Sequence, residues 1–214
     1  MKRLAAVYGG SAHHLRALHE PKYARWLAGT VYLPDLPNAD LSTLDGLIVP
    51  ERIHRGMLHR ARRKLLEFLD EGKTLILFGE QSVYGDQPIG WLPGIDWEHC
   101  PTNYWWWLEP GARSGLVAGH PDHSFWARLT LRDVTWHHHG TFRPPQGTQS
   151  LVSTEEGRSI LYVDRVSSPG AMVVAALDPM SHYGSYFMPA TERFLDGFLP
   201  WAVEDLLNER LSTP

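Results

Sequence analysis

Apolar and polar positions alternate along the first half of the chain in a way that predicts strands separated by helices. Leu4-Ala5-Ala6-Val7-Tyr8 is a short apolar run stopping at Gly9-Gly10, as expected for a buried strand that enters a turn. His13 to Leu27 reads as a helix, with Pro21 limiting its continuity. Thr30 to Leu33 and Gly46 to Val49 are further strands, each closed by a proline (Pro34 and Pro50). Between Ile53 and Glu71 the residues Met57, Leu58, Ala61, Leu65, Phe68 and Leu69 recur at three- and four-residue steps, one apolar stripe on a helix, and Gly72 stands where a helix-terminating glycine belongs. Thr74 to Phe78 is apolar almost throughout. Continuously apolar strands alternating with helices predict a parallel sheet covered on both faces.

The second half has a different rhythm. Residues 81–101 are rich in Gly, Pro and Trp and read as a long loop, and Asn103 to Leu108 as a strand. A short helix is expected over 122–129, and strands over 151–153, 160–163 and 172–177. Glu155-Glu156-Gly157-Arg158 forms the turn of a hairpin between the first two of these. Thr191 to Leu211 closes the chain as a helix kinked at Pro200, with Phe194, Leu195, Phe198, Trp201, Ala202 and Leu206 inward. Length and pattern together predict one domain over 1–214 carrying an irregular Trp-rich insertion at about 82–118.

Composition narrows the function classes. Twenty Lys+Arg against 24 Asp+Glu give a formal net charge of -4, so no overall basic field draws the chain to nucleic acid or anionic lipid. Arg52, Arg55, Arg60, Arg62, Arg63 and Lys64 interleave with the apolar stripe and read as the solvated face of its helix. No segment approaches the roughly twenty apolar residues of a membrane span, and the run after Met1-Lys2-Arg3 is shorter than the ~7–15 residues of a secretory core. The single cysteine, Cys100, excludes an intrachain disulfide and a multi-cysteine metal site. A cytoplasmic setting is the expectation.

Four motifs carry a family resemblance. They are Asp45-Gly46-Leu47-Ile48-Val49-Pro50; the helix followed by Glu71-Gly72-Lys73-Thr74-Leu75-Ile76-Leu77-Phe78-Gly79; Gly119-His120-Pro121; and Ala176-Leu177-Asp178-Pro179 followed by His182. In these the chain resembles the class I glutamine amidotransferase-like superfamily, and within it the divergent trehalose-utilisation-like branch. The resemblance implies a three-layer, flavodoxin-like α/β fold with a mostly parallel central sheet. It also implies a site beside the turn after Phe78. Active amidotransferases carry a Gly-x-Cys-x-Gly elbow there, which lifts a thiolate beside oxyanion-holding N–H groups. Here the stretch is Phe78-Gly79-Glu80-Gln81-Ser82, so Glu80 or Gln81 takes the cysteine's place. A glutaminase needs an activated thiolate. The expectation is therefore the fold without the glutaminase.

Candidate chemistry gathers at the same sheet edge. Glu80 as general base or acceptor and His182, placed like the family's catalytic histidine, are the catalytic candidates; the bland alternatives are a turn cap and a loop histidine bonded to backbone. Gln81, Asp178, Trp136, His137 and His139 are the candidate ligand-binding residues, with Trp136 or Trp105 as a stacking platform for a carbohydrate-like ligand. On a strand, His137 and His139 face one way and His138 the other. This segment supplies at most two ligands and a catalytic zinc site needs three, so a third would have to come from elsewhere, from His120, His123 or His182; the expectation is no metal or other cofactor, with His137, His139 and His120 as the candidates should one bind. His13-His14 follows the first strand and so falls at the same edge. Trp105-Trp106-Trp107 with Trp91 and Trp97 either pack locally under a loop or anchor a second copy of the chain. The leading expectation is a small polar ligand bound at the carboxyl edge. The alternatives are a divergent hydrolase or isomerase using Glu80 and His182, and an oligomerisation module.

Overall fold

The computed structural model describes residues 3–79, 83–84, 87–88, 92–99, 111, 113–136 and 138–209. The element order is β1 (Leu4–Tyr8), α1 (Ala12–His19), α2 (Pro21–Ala24), β2 (Gly29–Tyr32), β3 (Gly46–Val49), α3 (Arg55–Arg60), α4 (Arg62–Asp70), β4 (Thr74–Phe78), β5 (Val83–Tyr84), β6 (Gln87–Pro88), β7 (Trp97–His99), β8 (Leu116–Ala118), β9 (Gly140–Phe142), β10 (Gln149–Thr154), β11 (Ser159–Asp164), β12 (Ala171–Ala175), α5 (Pro179–Gly184) and α6 (Pro189–Pro200). The main sheet runs β2-β1-β3-β4-β12-β11-β10-β8. Its first five strands are parallel, and β12, β11, β10 and β8 are joined antiparallel. The runs that read as continuously apolar are the central ones: every residue of β3, β4 and β12 is buried, as parallel strands covered on both faces require. This is the three-layer α/β arrangement with a mostly parallel core, continued by a hairpin of β10 and β11.

Several elements differ in detail from the sequence expectation. The helix expected over 13–27 is two, because the chain leaves helical geometry at Glu20 before Pro21, as residues preceding proline do. The striped helix is interrupted at Ala61 (φ -84°, ψ 0°). It still buries Leu58, Leu65, Phe68 and Leu69. Residues 124–127 form a 3-10 turn rather than an α-helix. The last helix stops at Pro200 and widens into a π turn over Trp201–Asp205, since Pro200 has no N–H for the helical ladder. No helix among the described residues is long and apolar enough to cross a membrane.

One difference bears on the site. Trp136, His138 and His139 are not in a strand: β9 begins at Gly140. A Cβ on Gly140 would lie 2.2 Å from the Trp97 ring, so β9 pairs with β7 only because that position carries no side chain. The strand alternation considered for these histidines therefore does not apply to His138 and His139.

A buried carboxyl pair at the carboxyl edge of the sheet

The site is made by three turns that leave neighbouring parallel strands at their carboxyl ends, where open α/β sheets form a crevice. β3 runs into Pro50-Glu51-Arg52, β4 into Gly79, and β12 through Ala176-Leu177 into Asp178 and α5. Gly79 takes φ +71°, and a Cβ there would lie 2.6 Å from the Glu51 Cβ; the β3 and β4 turns close on each other because residue 79 is glycine. On the other flank α5 lies against α1, where a Cβ on Gly184 would come 1.7 Å from the His13 carbonyl oxygen. That contact brings His13 and His14 to the same edge, as the chain order suggested.

Asp178 is the hub and is 2% exposed. Its Oδ2 accepts from Arg52 Nη2 at 2.9 Å and lies 3.7 Å from His139 Nε2. Its Oδ1 lies 3.1 Å from His182 Nε2 and accepts from Trp136 Nε1 at 3.3 Å. Glu51 lies beneath, 1% exposed. One carboxyl oxygen accepts the Ser181 backbone N–H of α5, and Oε2 has no hydrogen-bond partner among the described residues. Burial, and next the Asp178 charge, push the Glu51 carboxyl up to about 8. The two acids are thus driven apart: at neutral pH Glu51 keeps its proton, while Asp178 gathers the donors. Burial and the neighbouring His13 push His14 down to about 4, so it is neutral. His13 is lowered by burial, Arg52 and His182. Its Nε2 lies 2.7 Å from Ser11 Oγ.

Above this pair is a cavity of about 300 Å³ lined by Glu51, Arg52, Ile53, Arg55, Gly79, His139 and Asp178. Of the residues singled out from sequence, His139, Asp178 and His182 converge here. Trp136 comes with them in a different role: it is 1% exposed, its ring packs edge-on to Phe194 at 5.4 Å, and its N–H orients Asp178. A buried ring cannot serve as the expected stacking platform. His120 follows β8 at the opposite border of the sheet, beside His123, and does not join His139. Among the described residues no three or more His, Cys, Asp or Glu are grouped to hold a metal ion. Glu80, Gln81, His137 and Trp105 lie outside the described residues.

Sequence reasoning missed Glu51 altogether and read Arg52 and Arg55 as part of a solvated helix face. The signal was present: Glu51-Arg52 directly follows a wholly buried strand, a place where a carboxylate needs a reason to stay.

The chain shares its architecture with several solved structures. A protein described as ThuA-like from Bacteroides uniformis matches with a TM-score of 0.54 and 11% identity, over 96% of this chain and 92% of that one. The fold is the class I glutamine amidotransferase-like fold, in its ThuA-like form. A protein from Thermoplasma acidophilum, described as part of a GMP synthase, matches this fold at TM-score 0.50 and 11% identity, over 98% of both chains. An exo-β-1,4-mannosidase from an Opitutaceae bacterium matches at TM-score 0.54 and 13% identity, over 94% of this chain but only 36% of the mannosidase. No protein-family model matches the sequence, and neither does any curated protein.

Proposed function

We propose that the chain binds a small polar ligand at the carboxyl edge of its sheet and does not hydrolyse glutamine. The observation that carries this is the cavity of about 300 Å³ walled by Arg52, Arg55, His139 and Asp178, at the place where this fold puts ligands. Its volume is that of a monosaccharide-sized molecule. A carbohydrate-like ligand also draws support from the exo-β-1,4-mannosidase that contains a region of the same fold, and from the ThuA-like neighbour. Glutaminase activity is unsupported because the sequence after Phe78 carries Glu80 and Gln81 and no thiol. Incubation with glutamine should release no ammonia above a no-enzyme blank, while a panel of monosaccharides and sugar acids should include compounds that raise the melting temperature. Ammonia release lost on Cys100→Ser would overturn the first statement, and a panel without a single stabilising compound the second.

The Asp178–His182 contact favours a second reading, a divergent hydrolase or isomerase. An imidazole oriented by a buried carboxylate and set beside a neutral acid is the arrangement of an acid/base pair. In that case His182 is the base, with Glu80, next in sequence to Gly79, as its partner. His182→Gln would then abolish turnover and leave ligand binding nearly intact; equal loss of both would return the site to a binding role.

A further inference from the structure

Three of the seven described lining residues of the cavity carry hydrogen-bond donors. Arg52 and Arg55 contribute guanidinium groups and His139 an imidazole. The carboxylate among the described lining residues that could compete, Asp178, is already engaged by Arg52, Trp136 and His182. Glu51, under the floor, is protonated at neutral pH and adds no negative charge. Across the described lining residues the balance is thus two guanidinium groups against one carboxylate.

Arg52 carries a second mark. Its backbone has φ 54°, in the left-handed region that glycine takes freely and other residues only against steric resistance. Strain of this kind persists where the surrounding structure or the function holds it. The Arg52 side chain is not consumed by its ion pair: it is 52% exposed, and the bond to Asp178 uses Nη2 of a planar fork that carries five N–H groups. A glycine here would make the turn more easily and would remove that fork from the mouth of the cavity.

Building on the reading that this cavity holds the ligand, we infer that the ligand carries an oxyanion, a carboxylate or a phosphoryl group, seated on the Arg52 fork with Arg55 and His139 beside it. The neutral state of Glu51 is part of the device. The groups facing it are Asp178 after β12, Ser181 of α5, His14 of α1 and its neighbour Arg52, with uncharged Gly79 from β4. Once Glu51 ionises, the floor gains a second negative charge next to Asp178 and repels the oxyanion.

Isothermal titration of the full chain with inorganic phosphate, acetate and neutral methyl glucoside tests this, and the first two probes separate a phosphoryl from a carboxylate preference. At pH 7 at least one anion should bind, and Arg52→Gly should weaken it at least about tenfold, the order of a lost charge-assisted contact. Relief at φ 54° offsets only part of the lost ion pair, so the variant's melting temperature should fall while a cooperative unfolding transition recorded beside the titration shows that it is folded. Arg52→Lys, which keeps charge without the fork, should fall between the two. For acetate, whose charge is constant above pH 6, affinity should drop about tenfold from pH 7 to pH 9 in the parent, and Glu51→Gln should abolish that drop. Anion affinity indifferent to Arg52, or an alkaline drop that survives in Glu51→Gln, would overturn the inference. Binding of methyl glucoside with neither anion would overturn it while leaving a ligand site in place; no binding by any of the three would remove both.

Discussion

The neutral Glu51 makes a quantitative statement about stability. A carboxyl that holds its proton to about 8 in the fold, against 4.5 ordinarily, weakens the native state as pH rises, because the unfolded chain releases that proton first. The loss is about 1.4 kcal/mol per pH unit between those values, or about 3 kcal/mol by pH 7 and about 5 kcal/mol in all. His14 acts in the opposite direction. It is held down at about 4 against 6.5 ordinarily, so the unfolded chain takes up its proton first and stability falls as pH drops from 6.5. His138, also held near about 4 by burial, adds to this. Below pH 6.5 the two histidines outweigh Glu51; above it Glu51 acts alone. Stability should therefore peak near pH 6.5 and decline by about 1.4 kcal/mol per unit toward pH 8. Glu51→Gln keeps an oxygen for the Ser181 N–H and puts an uncharged amide where Oε2 lacks a partner among the described residues. Urea unfolding followed by tryptophan fluorescence, at constant ionic strength and half-unit steps from pH 5 to 8.5, gives the two curves. The variant should be flat from pH 6.5 to 8 and keep the acid limb. Parallel declines in the two proteins would show that Glu51 is ionised in the native state, and the assignment of the two acids would be wrong.

Two further substitutions probe the same corner. Gly79→Ala places a methyl 2.6 Å from the Glu51 Cβ at φ +71° and should destabilise by about 2 kcal/mol or more, read as a lowered urea midpoint with an unchanged slope. Asp178→Asn keeps the shape of the hub but removes the charge that Arg52 faces; it should cost about 2–4 kcal/mol in the same assay. It should also make the alkaline decline level off at a lower pH, since Asp178 helps hold Glu51 neutral and the folded-state value sets where the loss ends. A decline that levels off at the same pH as in the parent would remove Asp178 from the causes of the Glu51 shift.

The central sheet was legible in the sequence because burial on both faces leaves a plain mark. A run such as Leu75-Ile76-Leu77-Phe78 has no polar position, and β3, β4 and β12 were found where their apolar runs lie. His139, Asp178 and His182 were legible as a group because each follows or overhangs a strand end on that sheet. What could not be read was the state of each group. The burial of Trp136 depends on Phe194, 58 positions away in a helix whose packing the local pattern does not contain. The backbone at His139 was likewise beyond a local pattern, since β9 starts only at Gly140, where the Trp97 ring across the sheet leaves no room for a side chain. Arg52 looked like one more surface arginine because its neighbours Arg60, Arg62 and Arg63 are; only its left-handed backbone and its bond to Asp178 separate it from them. Glu51 was passed over although it directly follows a buried strand; the linear pattern marks its place but not its protonation state.

Glu51 and Asp178 show how two acids share one crevice at the carboxyl edge of the sheet. Among the described residues the charge is on the turn after β12, where Arg52, Trp136 and His182 stabilise it, and the turn after β3 holds a proton in reserve. Each acid depends on the other. Asp178 contributes to keeping Glu51 protonated, and a protonated Glu51 spares Asp178 a second buried anion in the same low-dielectric corner. Apolar residues at both positions would fill the space with less cost to stability, and glycine at Arg52 would relieve the backbone. Two buried acids and a strained arginine stand together where the turns after β3, β4 and β12 meet at a cavity, and that cost to stability is what the proposed ligand site would account for and packing would not.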